Sequence, residues 1–529
     1  MSRLDQFVST FAPRWALKRE VARQKLSFLN TGYSHHGASK TKRSMQGWNA
    51  SGGSPDEDIN ENLDTLRQRS RDLYMGAAAL ATGALKTIRT NVVGTGLKVK
   101  PTIDAEFLGL SEDEATQLRR TIEREFSLWA ESNDCDSMRM NNFFEIQQLA
   151  FLSSLMSGEC FALLPLLPRP HSVYDLRIRL VEADRCSSPG MGKDKGKGKD
   201  IKAGVEVDKD GSVQAYWFSN RHPLASGTGK MDWARVEAVG AETGRRNVLH
   251  IMEAERPEQR RGVPILAPVI ESLKQLGRYT EAELMAAVIS GMFTVFVETD
   301  NADVDPLGGG IDEDDPAEEY NYKLGNGAIV GLAPGEKATM ANPGRPNSNF
   351  DPFVTSILRQ VGSALEVPYE LLLKHFTSSY SASRGALLEA WKMFRMRRTW
   401  LAADFCQPIY EEWFAEAVTK GRIQAPGFFD DPLLFRAYTK AEWHGPSHGQ
   451  LDPLKEVNAA VIRVENGFST GERETAELTG GDYETNLRQR SREVKLRKEY
   501  GLIQTGGEPS ADSTESGEED ILESKEDEQ

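Results

Sequence analysis

Apolar positions recur every three or four residues over several long stretches of the chain, which is the spacing of one buried face of an α-helix. The pattern covers residues 62–93, 111–129, 144–157, 264–291, 350–366 and 385–421. Ser111 and the acidic residues that follow it predict a capped helix start. Pro408 predicts a kink within the last stretch. The chain is therefore predicted to be largely helical, with further helical stretches between residues 428 and 500.

Short runs of alternating apolar and polar residues fill the region 158–252, separated by Asp-Gly and glycine-rich turns, as in β-strands. Another strand-like run lies at residues 97–103. Between the helical stretches 264–291 and 350–366, the chain contains a strand-like MFTVFVE, an acidic glycine-rich loop and a hairpin-like GAIVGLAPGEKATM. The predicted fold class is α+β, with one β-rich region and a small α/β insert between two helices.

Length and composition indicate a soluble globular chain. At about 150 residues per domain, 529 residues predict several packed units. The hydrophobic fraction of 39% and the charged fraction of 27% are sufficient for a core. Acidic residues number 79 against 64 Lys and Arg, so the formal net charge is -15. This charge argues against tight binding of a phosphate backbone.

The charge is unevenly distributed. Residues 1–48 carry nine Lys or Arg against Asp5 and Glu20, whereas residues 508–529 hold ten acids and one lysine. We expect a flexible basic arm over residues 1–61 and a disordered acidic tail over residues 501–529. An ordinary solvated terminus is the alternative interpretation of the arm.

The cysteines and the apolar runs favour assembly in a reducing cytoplasm. The four cysteines lie far apart and form no CxxC pair, which argues against a disulfide framework and against a zinc site. The longest uncharged apolar stretch, residues 284–297, has 14 residues, fewer than the ~18 that a membrane span needs. The N-terminal sequence lacks the pattern of a secretory signal.

Two loops resemble ligand sites only superficially. The segment GMGKDKGKGKD at residues 190–200 lacks the glycine and Lys-Ser or Lys-Thr spacing of a phosphate-binding loop, so a surface loop is the better interpretation. His444 and His448 are four residues apart, but Gly445 and Pro446 between them exclude a regular helical ligand face. We interpret both segments as structural loops.

The remaining candidate chemistry is equally weak. Ser378, Ser379 and Ser381 lie beside His375, but no nucleophile elbow frames them and no orienting acid is evident. The acidic run at residues 312–315 lacks the ligand alternation of a calcium loop. We therefore predict no enzyme activity, no catalytic residue, no metal and no cofactor. A two-metal nuclease stays open, because carboxylates that converge in space cannot be recognised in a sequence.

Several stretches, in this order along residues 62–481, resemble the lambda-type family of tailed-bacteriophage portal proteins. They are RSRDLYMGAAALATGALKTIRTNVVGTGLKV, LVEADRCSSP, AGVEVDKDGSVQAYWF, RRGVPILAPVIESLKQLGRYTEAELMAA, EVPYELLLKHFTSSYSASRGALLEAWKMF and FCQPIYEEWFAEAVTKGRI. Neither the glycine-lysine segment 190–200 nor the acidic tail matches a feature of that family, so both are treated as accessory.

The resemblance implies a portal fold, with mostly helical wing, stem and crown regions, a β-rich part of the wing and a small α/β clip. Applied to this chain, it divides the residues as follows: wing 62–263, first stem helix 264–291, clip 292–345, second stem helix 346–373, tunnel loop 374–384, long wing helix 385–427 and crown 428–500. The helix, insert and helix order of residues 264–366 agrees with the pattern of the sequence itself.

The resemblance also implies the function and the partners. A portal of this family is a dodecameric homo-oligomeric ring at one capsid vertex, through which double-stranded DNA passes without sequence specificity during packaging and ejection. Its expected protein partners are the terminase large subunit, the major capsid and scaffolding proteins, and the head completion or adaptor proteins; no membrane is involved. Ring closure requires two different faces of each subunit to meet.

Site residues follow from the same assignment. The DNA-channel candidates in the tunnel loop are Lys374, His375, Ser378, Ser379, Tyr380, Ser381 and Arg384. The candidates for docking terminase or an adaptor, all in the clip, are Asp312, Glu313, Asp314, Asp315, Glu318 and Glu319. A channel that must let DNA move in both directions should bind phosphates weakly, which agrees with the net negative charge.

The aromatic residues of the long helix have two interpretations, contact between subunits and packing within one subunit, of which the second is favoured for each residue. They are Trp391, Phe394, Trp400, Phe405, Trp413 and Phe414. Two other classes of protein remain as alternatives to a portal. A packaging nuclease or motor is one, although the motor would need the Walker loop that is missing here. A capsid or tail scaffold is the other.

Overall fold

The computed structural model describes residues 52–189, 200–226, 229–291, 295–299, 336–340, 349–376, 379–447, 449 and 452–502, with a few positions before residue 52. The chain divides into two compact units, Met1–Asp58 and Ile59–Gln529. Most of the predicted basic arm, the glycine-lysine segment, most of the predicted clip and the acidic tail therefore lie outside the described residues. In the first unit, Ser54 and Glu57 form reciprocal hydrogen bonds at the start of a short helix.

The helices match most of the predicted stretches. They are α1 (Pro55–Asn60), α2 (Leu63–Asp72), α3 (Ala79–Val92), α4 (Ala105–Leu108), α5 (Glu112–Ala130), α6 (Phe143–Ser157), α7 (Ile270–Gly291), α8 (Phe350–Leu365), α9 (Tyr369–Leu373), α10 (Tyr380–Leu401), α11 (Gln407–Thr419), α12 (Pro432–Thr439), α13 (Pro453–Glu465), α14 (Gly471–Thr479) and α15 (Tyr483–Glu499).

The described strands form four small antiparallel sheets. The strands are β1 (Lys98–Pro101), β2 (Glu159–Leu163), β3 (Arg179–Glu182), β4 (Asp200–Lys202), β5 (Val205–Val207), β6 (Val213–Ser219), β7 (Trp233–Glu237), β8 (Val248–Met252), β9 (Val295–Thr299), β10 (Glu336–Met340) and β11 (Ala441–His444). Their orders are β3-β2-β8, β4-β5-β6-β7, β1-β11 and β9-β10. The predicted α+β class is confirmed, and so is the β-rich region 158–252.

Local sequence explains two of the helix starts. Ser111 accepts a hydrogen bond from the Glu114 backbone, and the Glu114 side chain accepts one from the Ser111 backbone, which is a complete capping box. Asn142 and Glu145 form the same arrangement at the start of α6. Each box satisfies two backbone N–H groups that have no partner inside the helix.

The predicted single helix over residues 62–93 is wrong in one respect, because the structure divides it. A π-helical turn spans Leu73–Ala77, and Ala78 has an extended backbone before α3 begins. The Thr82 hydroxyl donates a 2.5 Å hydrogen bond to the Tyr74 carbonyl, which satisfies one acceptor exposed by the break. Apolar spacing continues through the alanine-rich segment on both sides, so the pattern contained no sign of the interruption.

The predicted long helical run 385–421 is interrupted, as expected, near Pro408. A π-helical turn at Ala402–Cys406 precedes α11, and Pro408 occupies the first turn of that helix, where its missing N–H costs little. The start was predicted too late, because α10 begins at Tyr380. The start of the helix predicted over 264–291 was too early: a 3₁₀ turn at Ala267–Val269 containing Pro268 comes first, and α7 begins at Ile270.

One aromatic cluster joins distant parts of the chain. Phe126 of α5 packs edge-to-face on Trp413 at 4.9 Å between ring centroids and on Phe143 at 5.7 Å. Trp443 of β11 also contacts Phe126. Strand β11 pairs with β1, with Lys98 opposite His444. Residues 441–444, which the resemblance assigns to a crown, are therefore paired in a sheet with the N-terminal part of the chain.

Candidate functional site

A buried carboxylate marks the point where the β-rich region meets the segment leading into α7. Glu159 is the first residue of β2 and is fully enclosed. Its carboxylate accepts hydrogen bonds from Arg67 Nη2 at 2.6 Å, Arg261 Nε at 2.7 Å, His250 Nε2 at 2.8 Å and the Gly262 backbone N–H at 2.7 Å. We call these residues, Glu159, Arg67, His250, Arg261 and Gly262, the Glu159 cluster. It links α2, β2, β8 and the approach to α7.

The two arginines have further acceptors, so the cluster is almost completely satisfied. Arg67 Nε donates to the Ser157 carbonyl at 2.9 Å. Arg261 donates to the carbonyls of Cys186 and Ala183, each at 2.8 Å, and to that of Ala203. Ala183 and Cys186 lie in one turn and Ala203 lies on another segment, so the guanidinium of Arg261 fixes the approach to α7 against two parts of the β-rich region.

Electrostatics keep the cluster ionised. Burial acts to raise the pKa of Glu159, but Arg261, Arg67 and the His250 hydrogen bond oppose it and hold the pKa of that carboxyl well below its usual range. Burial lowers the pKa of Arg67, which the attraction of Glu159 partly offsets. Burial lowers the pKa of Arg261, but the attraction and hydrogen bond of Glu159, together with the attraction of Cys186 and Asp64, outweigh it, so the pKa is raised.

Two glycines allow the backbone just before β2 to contact the backbone that leads into α7. We call this contact, at Gly158 and Gly262, the joint. Gly158 ends α6 with φ +88°, and a Cβ on it would lie 2.5 Å from the Gly262 and Val263 backbone. A Cβ on Gly262 would overlap the Gly158 carbonyl. Neither position can accept a side chain without movement of the backbone, so the joint depends on both glycines.

Beyond the joint, α7 is buried at one end and exposed at the other. Leu273 and Leu276 are buried, whereas Leu284, Met285 and Val288 are 65%, 55% and 44% exposed. These three apolar side chains lie on adjacent positions of one helix and form an apolar patch, which we call the α7 patch.

Helix α8 packs on α7 through aromatic rings. Tyr279 stacks on Phe350 at 5.5 Å between ring centroids and meets Phe353 edge-to-face at 5.2 Å. In the part of the chain between these two helices, β9 and β10 form an antiparallel pair, with Val297 opposite Ala338. The predicted strand at 292–298 is confirmed as β9. The rest of the insert, with all six acidic docking candidates at positions 312–319, lies outside the described residues.

The predicted tunnel loop is shorter than expected. Lys374 has a left-handed backbone at the end of α9, His375 is exposed, and Ser379 caps α10 by accepting a hydrogen bond from the Ala382 backbone. Tyr380, Ser381 and Arg384 lie within the first two turns of α10 rather than in a loop, because the Ser379 cap starts the helix early. Ser378 lies outside the described residues.

Arg384 faces the C-terminal helices. Its guanidinium lies 3.9 Å from the Glu456 carboxylate of α13. Lys374 and Arg384 are ten residues apart in the sequence. Of these two residues, Arg384 is the one for which the structure describes a nearby carboxylate. This arrangement does not by itself define a DNA-binding site.

The aromatic side chains of the long helix are mostly internal. Phe394, Phe405, Trp413 and Phe414 are buried in the main core. Trp391 is half-buried against the same core, and Trp400 is 40% exposed. Packing within the subunit, the favoured interpretation, is confirmed for the four buried residues.

Reactive and metal-binding groups are sparse in the described part of the chain. No group of three or more His, Cys, Asp or Glu side chains there has the geometry to hold a metal ion. All four cysteines are unpaired and buried. Burial raises the pKa of Cys186 to about 11 and those of Cys135 and Cys160 to about 12. His444 lies on β11 at 28% side-chain exposure, and His448 lies outside the described residues.

The Glu159 cluster was missed at the sequence level. Its partners are separated by 92 and 102 positions along the chain, so no local motif connects them. One signal was available: Glu159 is the only charged residue between positions 146 and 168, which are otherwise apolar or neutral. An isolated acid in such a run is expected to need a buried partner.

None of the helices in the part of the chain that the structure describes has the length and apolar character needed to cross a membrane.

Comparison with known proteins gives the family. Residues 41–398 match the model of the family described as phage portal protein, lambda family. The chain is 25% identical to portal protein B of Escherichia phage lambda over 492 residues, which covers 89% of this chain and 91% of that protein. It is 24% identical to the portal protein of Escherichia phage N15 over 495 residues, with the same two coverages.

Comparison with solved structures also gave matches. A chain of the virion of a native gene transfer agent particle aligns with 12% identity and a TM-score of 0.42, covering 79% of this chain and 93% of that one. A chain of the neck of the native particle, computed with C12 symmetry, aligns with 12% identity and a TM-score of 0.40, covering 77% and 93%.

The family match spans more than half of the sequence and agrees with the α+β architecture described above. The chain therefore belongs to the lambda family of phage portal proteins, which are structural components of the virion at a capsid vertex. The resemblance seen in the sequence is confirmed.

Proposed function

We propose that the chain closes into a ring of twelve copies at one capsid vertex and that DNA enters and leaves the capsid through the centre of this ring. The match to the portal family over residues 41–398 is the observation that carries the proposal. In this assignment residues 264–291 and 346–373 form the stem, 292–345 the clip, 374–384 the tunnel segment and 428–500 the crown.

The α7 patch supports assembly. Leu284, Met285 and Val288 are exposed in the single subunit, and burying them against a neighbour would be favourable by about 25 cal/mol for each Å² removed from water. In a closed ring the patch meets a different face of the next subunit. The Tyr279, Phe350 and Phe353 packing holds α7 and α8 together, so the pair enters the ring as one unit.

The Glu159 cluster supports the proposal that the subunit withstands mechanical load while DNA is packaged. A DNA channel carries load when DNA is packed against pressure, so the stem must keep its position relative to the wing. Charge-assisted hydrogen bonds from Arg67 and Arg261 to one carboxylate fix four segments at the base of α7. A buried network of this kind resists deformation, because breaking one member leaves buried charges unpaired.

Weak contact with DNA follows from the charge. The tunnel segment offers Lys374, His375 and Arg384 together with serine hydroxyls, and Arg384 lies near Glu456. Few unpaired cations mean few released counterions, hence low affinity and low resistance to sliding. The acidic clip residues at 312–319 offer a charged docking surface for the terminase large subunit and later for head completion proteins.

The chain acts in this proposal as a structural protein without catalysis. No group of three or more His, Cys, Asp or Glu side chains among the described residues could hold a metal ion, and burial raises the pKa values of the four thiols. The test has two measurements on the purified protein: sedimentation, and incubation with plasmid DNA and Mg²⁺. A particle of about twelve subunits that leaves the plasmid intact supports the proposal. A monomer that cuts the plasmid contradicts it.

A further inference from the structure

Helix α15, Tyr483–Glu499, is exposed over its whole length. None of its 17 residues is buried. It carries six Lys or Arg residues against three glutamates, although the chain as a whole has a net charge of -15. A mainly polar and exposed helix gains little stability from packing, so its charged residues are available for solvation or for a charged partner.

Three of its cations share one face. Arg488, Arg492 and Lys495 follow the i, i+4, i+7 spacing that places side chains in a row. Arg488 lies 3.3 Å from Glu484, one turn earlier. Arg492 and Lys495 make no ion pair with any residue that the structure describes. We call Arg488, Arg492 and Lys495 the basic row.

The chain turns back as it leaves α15. The Leu502 backbone N–H donates to the Arg497 carbonyl at 2.8 Å, and the Gly501 N–H donates to the Lys498 carbonyl at 3.2 Å, with Gly501 at φ +68°. This pair of bonds is a Schellman motif, which redirects the chain from the helix axis. Gly501 and Leu502 therefore lie beside the last turn of α15, next to Arg497 and Lys498.

The sequence that follows is the most acidic part of the protein. Residues 508–529 contain ten acids and one lysine, and the linker 500–507 contains three glycines. Twenty-two residues reach up to about 75 Å when extended, at ~3.4 Å per residue. The 17-residue helix is about 25 Å long, at ~1.5 Å per residue. The acidic segment is thus long enough to follow α15 back to its first turn.

We propose that the acidic segment 508–529 binds the basic row of α15 in its own chain and screens this helix from DNA. Three features favour the acidic segment as the ligand of the basic row: its opposite charge, the turn at Gly501 and the short linker. A segment tethered eight residues away has an effective concentration in the millimolar range, which gives it an advantage over a partner in solution. The proposal does not depend on ring formation, since both elements belong to one subunit.

Zero-length cross-linking tests the contact directly. A carbodiimide joins a carboxylate to a lysine only when the two groups touch. In the full-length protein at low salt, we expect cross-linked peptides that join residues 508–529 to Lys495, the lysine of the basic row. They should disappear at high salt, because the contact between exposed charges is screened. Cross-links from these carboxylates only to lysines elsewhere would overturn the proposal.

Three full-length variants test whether the acidic segment screens α15 from DNA. In one full-length variant the ten acids of the segment are changed to the matching amides; in the second, Arg488→Gln, Arg492→Gln and Lys495→Gln remove the basic row; the third combines both. The probe is a DNA duplex of about 30 base pairs, and its binding is measured across a salt series. We expect the first variant to bind about tenfold more tightly, with a salt slope steeper by about 2 to 3.

The combined variant distinguishes a specific contact from a general change of charge. If the acidic segment screens α15, the gain in DNA affinity disappears when the basic row is also removed. An equal gain with and without the basic row would overturn the proposal, since it would reflect net charge alone. Unchanged affinity in the first variant would also overturn it.

Discussion

Arg261 Nε lies 2.7 Å from Glu159 Oε1, and this ion pair joins the segment that leads into α7 to the first residue of β2. Both side chains are buried, and Arg67 Nη2 donates to the same Glu159 oxygen at 2.6 Å. This desolvated charge cluster lies within the wing that the family resemblance assigns to residues 62–263, and its Arg261 and Gly262 come just before the first stem helix. Its energetics give the first prediction.

Glu159→Gln should destabilise the subunit strongly. The substitution keeps the shape of the side chain but leaves two buried guanidinium groups without a counter-charge, which costs about 3 to 5 kcal/mol. The free energy of unfolding measured in urea at pH 7 is the test. Asp200→Asn is the matched control, because the Asp200 side chain is 48% exposed and its ion pair with Arg260 should contribute less than about 1 kcal/mol. Equal effects of the two substitutions would contradict the role of the cluster.

The same cluster predicts acid sensitivity. The folded-state pKa of Glu159 lies below the value of 4.5 expected in the unfolded chain. The stability that it contributes is therefore complete above about pH 4.5 and is lost as the pH falls below that value towards the folded-state pKa. Between pH 7 and pH 3, the free energy of unfolding should decrease more steeply for the natural protein than for Glu159→Gln. Parallel curves would contradict this assignment.

Gly262→Ala should disrupt the joint, whereas Gly385→Ala should not. A Cβ at residue 262 overlaps the Gly158 carbonyl, but a Cβ at residue 385 meets no atom within 4 Å. Gly385 lies inside α10, so alanine there should stabilise the helix by about 0.5 to 1 kcal/mol. Melting temperatures of the two variants check the prediction. A stable Gly262→Ala protein would show that the two backbone segments can separate freely.

The α7 patch should be needed for assembly rather than for folding. Leu284→Ser, Met285→Ser and Val288→Ser together remove exposed apolar side chains, so the circular dichroism spectrum and the melting temperature of the subunit should change little. The fraction of assembled protein in sedimentation should fall. Phe107→Ser, at an exposed apolar position on the short helix α4, serves as the control. Normal assembly of the triple variant would exclude the patch as a subunit contact.

The four cysteines should resist modification in the folded protein. Burial raises the pKa of Cys186 to about 11 and that of Cys406 well above the usual value, so the reactive thiolate is scarce at pH 8. A thiol reagent should label none of them rapidly in the native protein and all four after denaturation in guanidinium. Rapid labelling of a native thiol would show that the region around it opens.

Local signals explain what could be predicted from the sequence. The capping box at Ser111 and Glu114 involves residues three apart, so its sequence pattern predicted the start of α5 correctly. Pro408 similarly indicated the interruption of the long helix. The break at Leu73–Ala77 left the apolar spacing intact and was missed. Ser379 also has the residue type of a helix cap, but the surrounding serines and threonine were interpreted as one continuous loop.

Long-range relationships could not be predicted. Glu159 depends on partners 92 and 102 positions away, and β1 pairs with a strand more than 300 positions later. A residue pattern cannot specify such pairings, since they follow from packing of the complete chain. The site residues 374–384 were assigned through the family resemblance alone, and their contact with DNA stays a prediction.

Electron microscopy of the purified full-length protein at moderate salt tests the central claim most directly. The account predicts closed rings of about twelve subunits with an open central hole, because a portal must form heterologous contacts that close around a channel. Particles that remain monomeric or dimeric at every concentration, or that form open filaments or sheets, would contradict it.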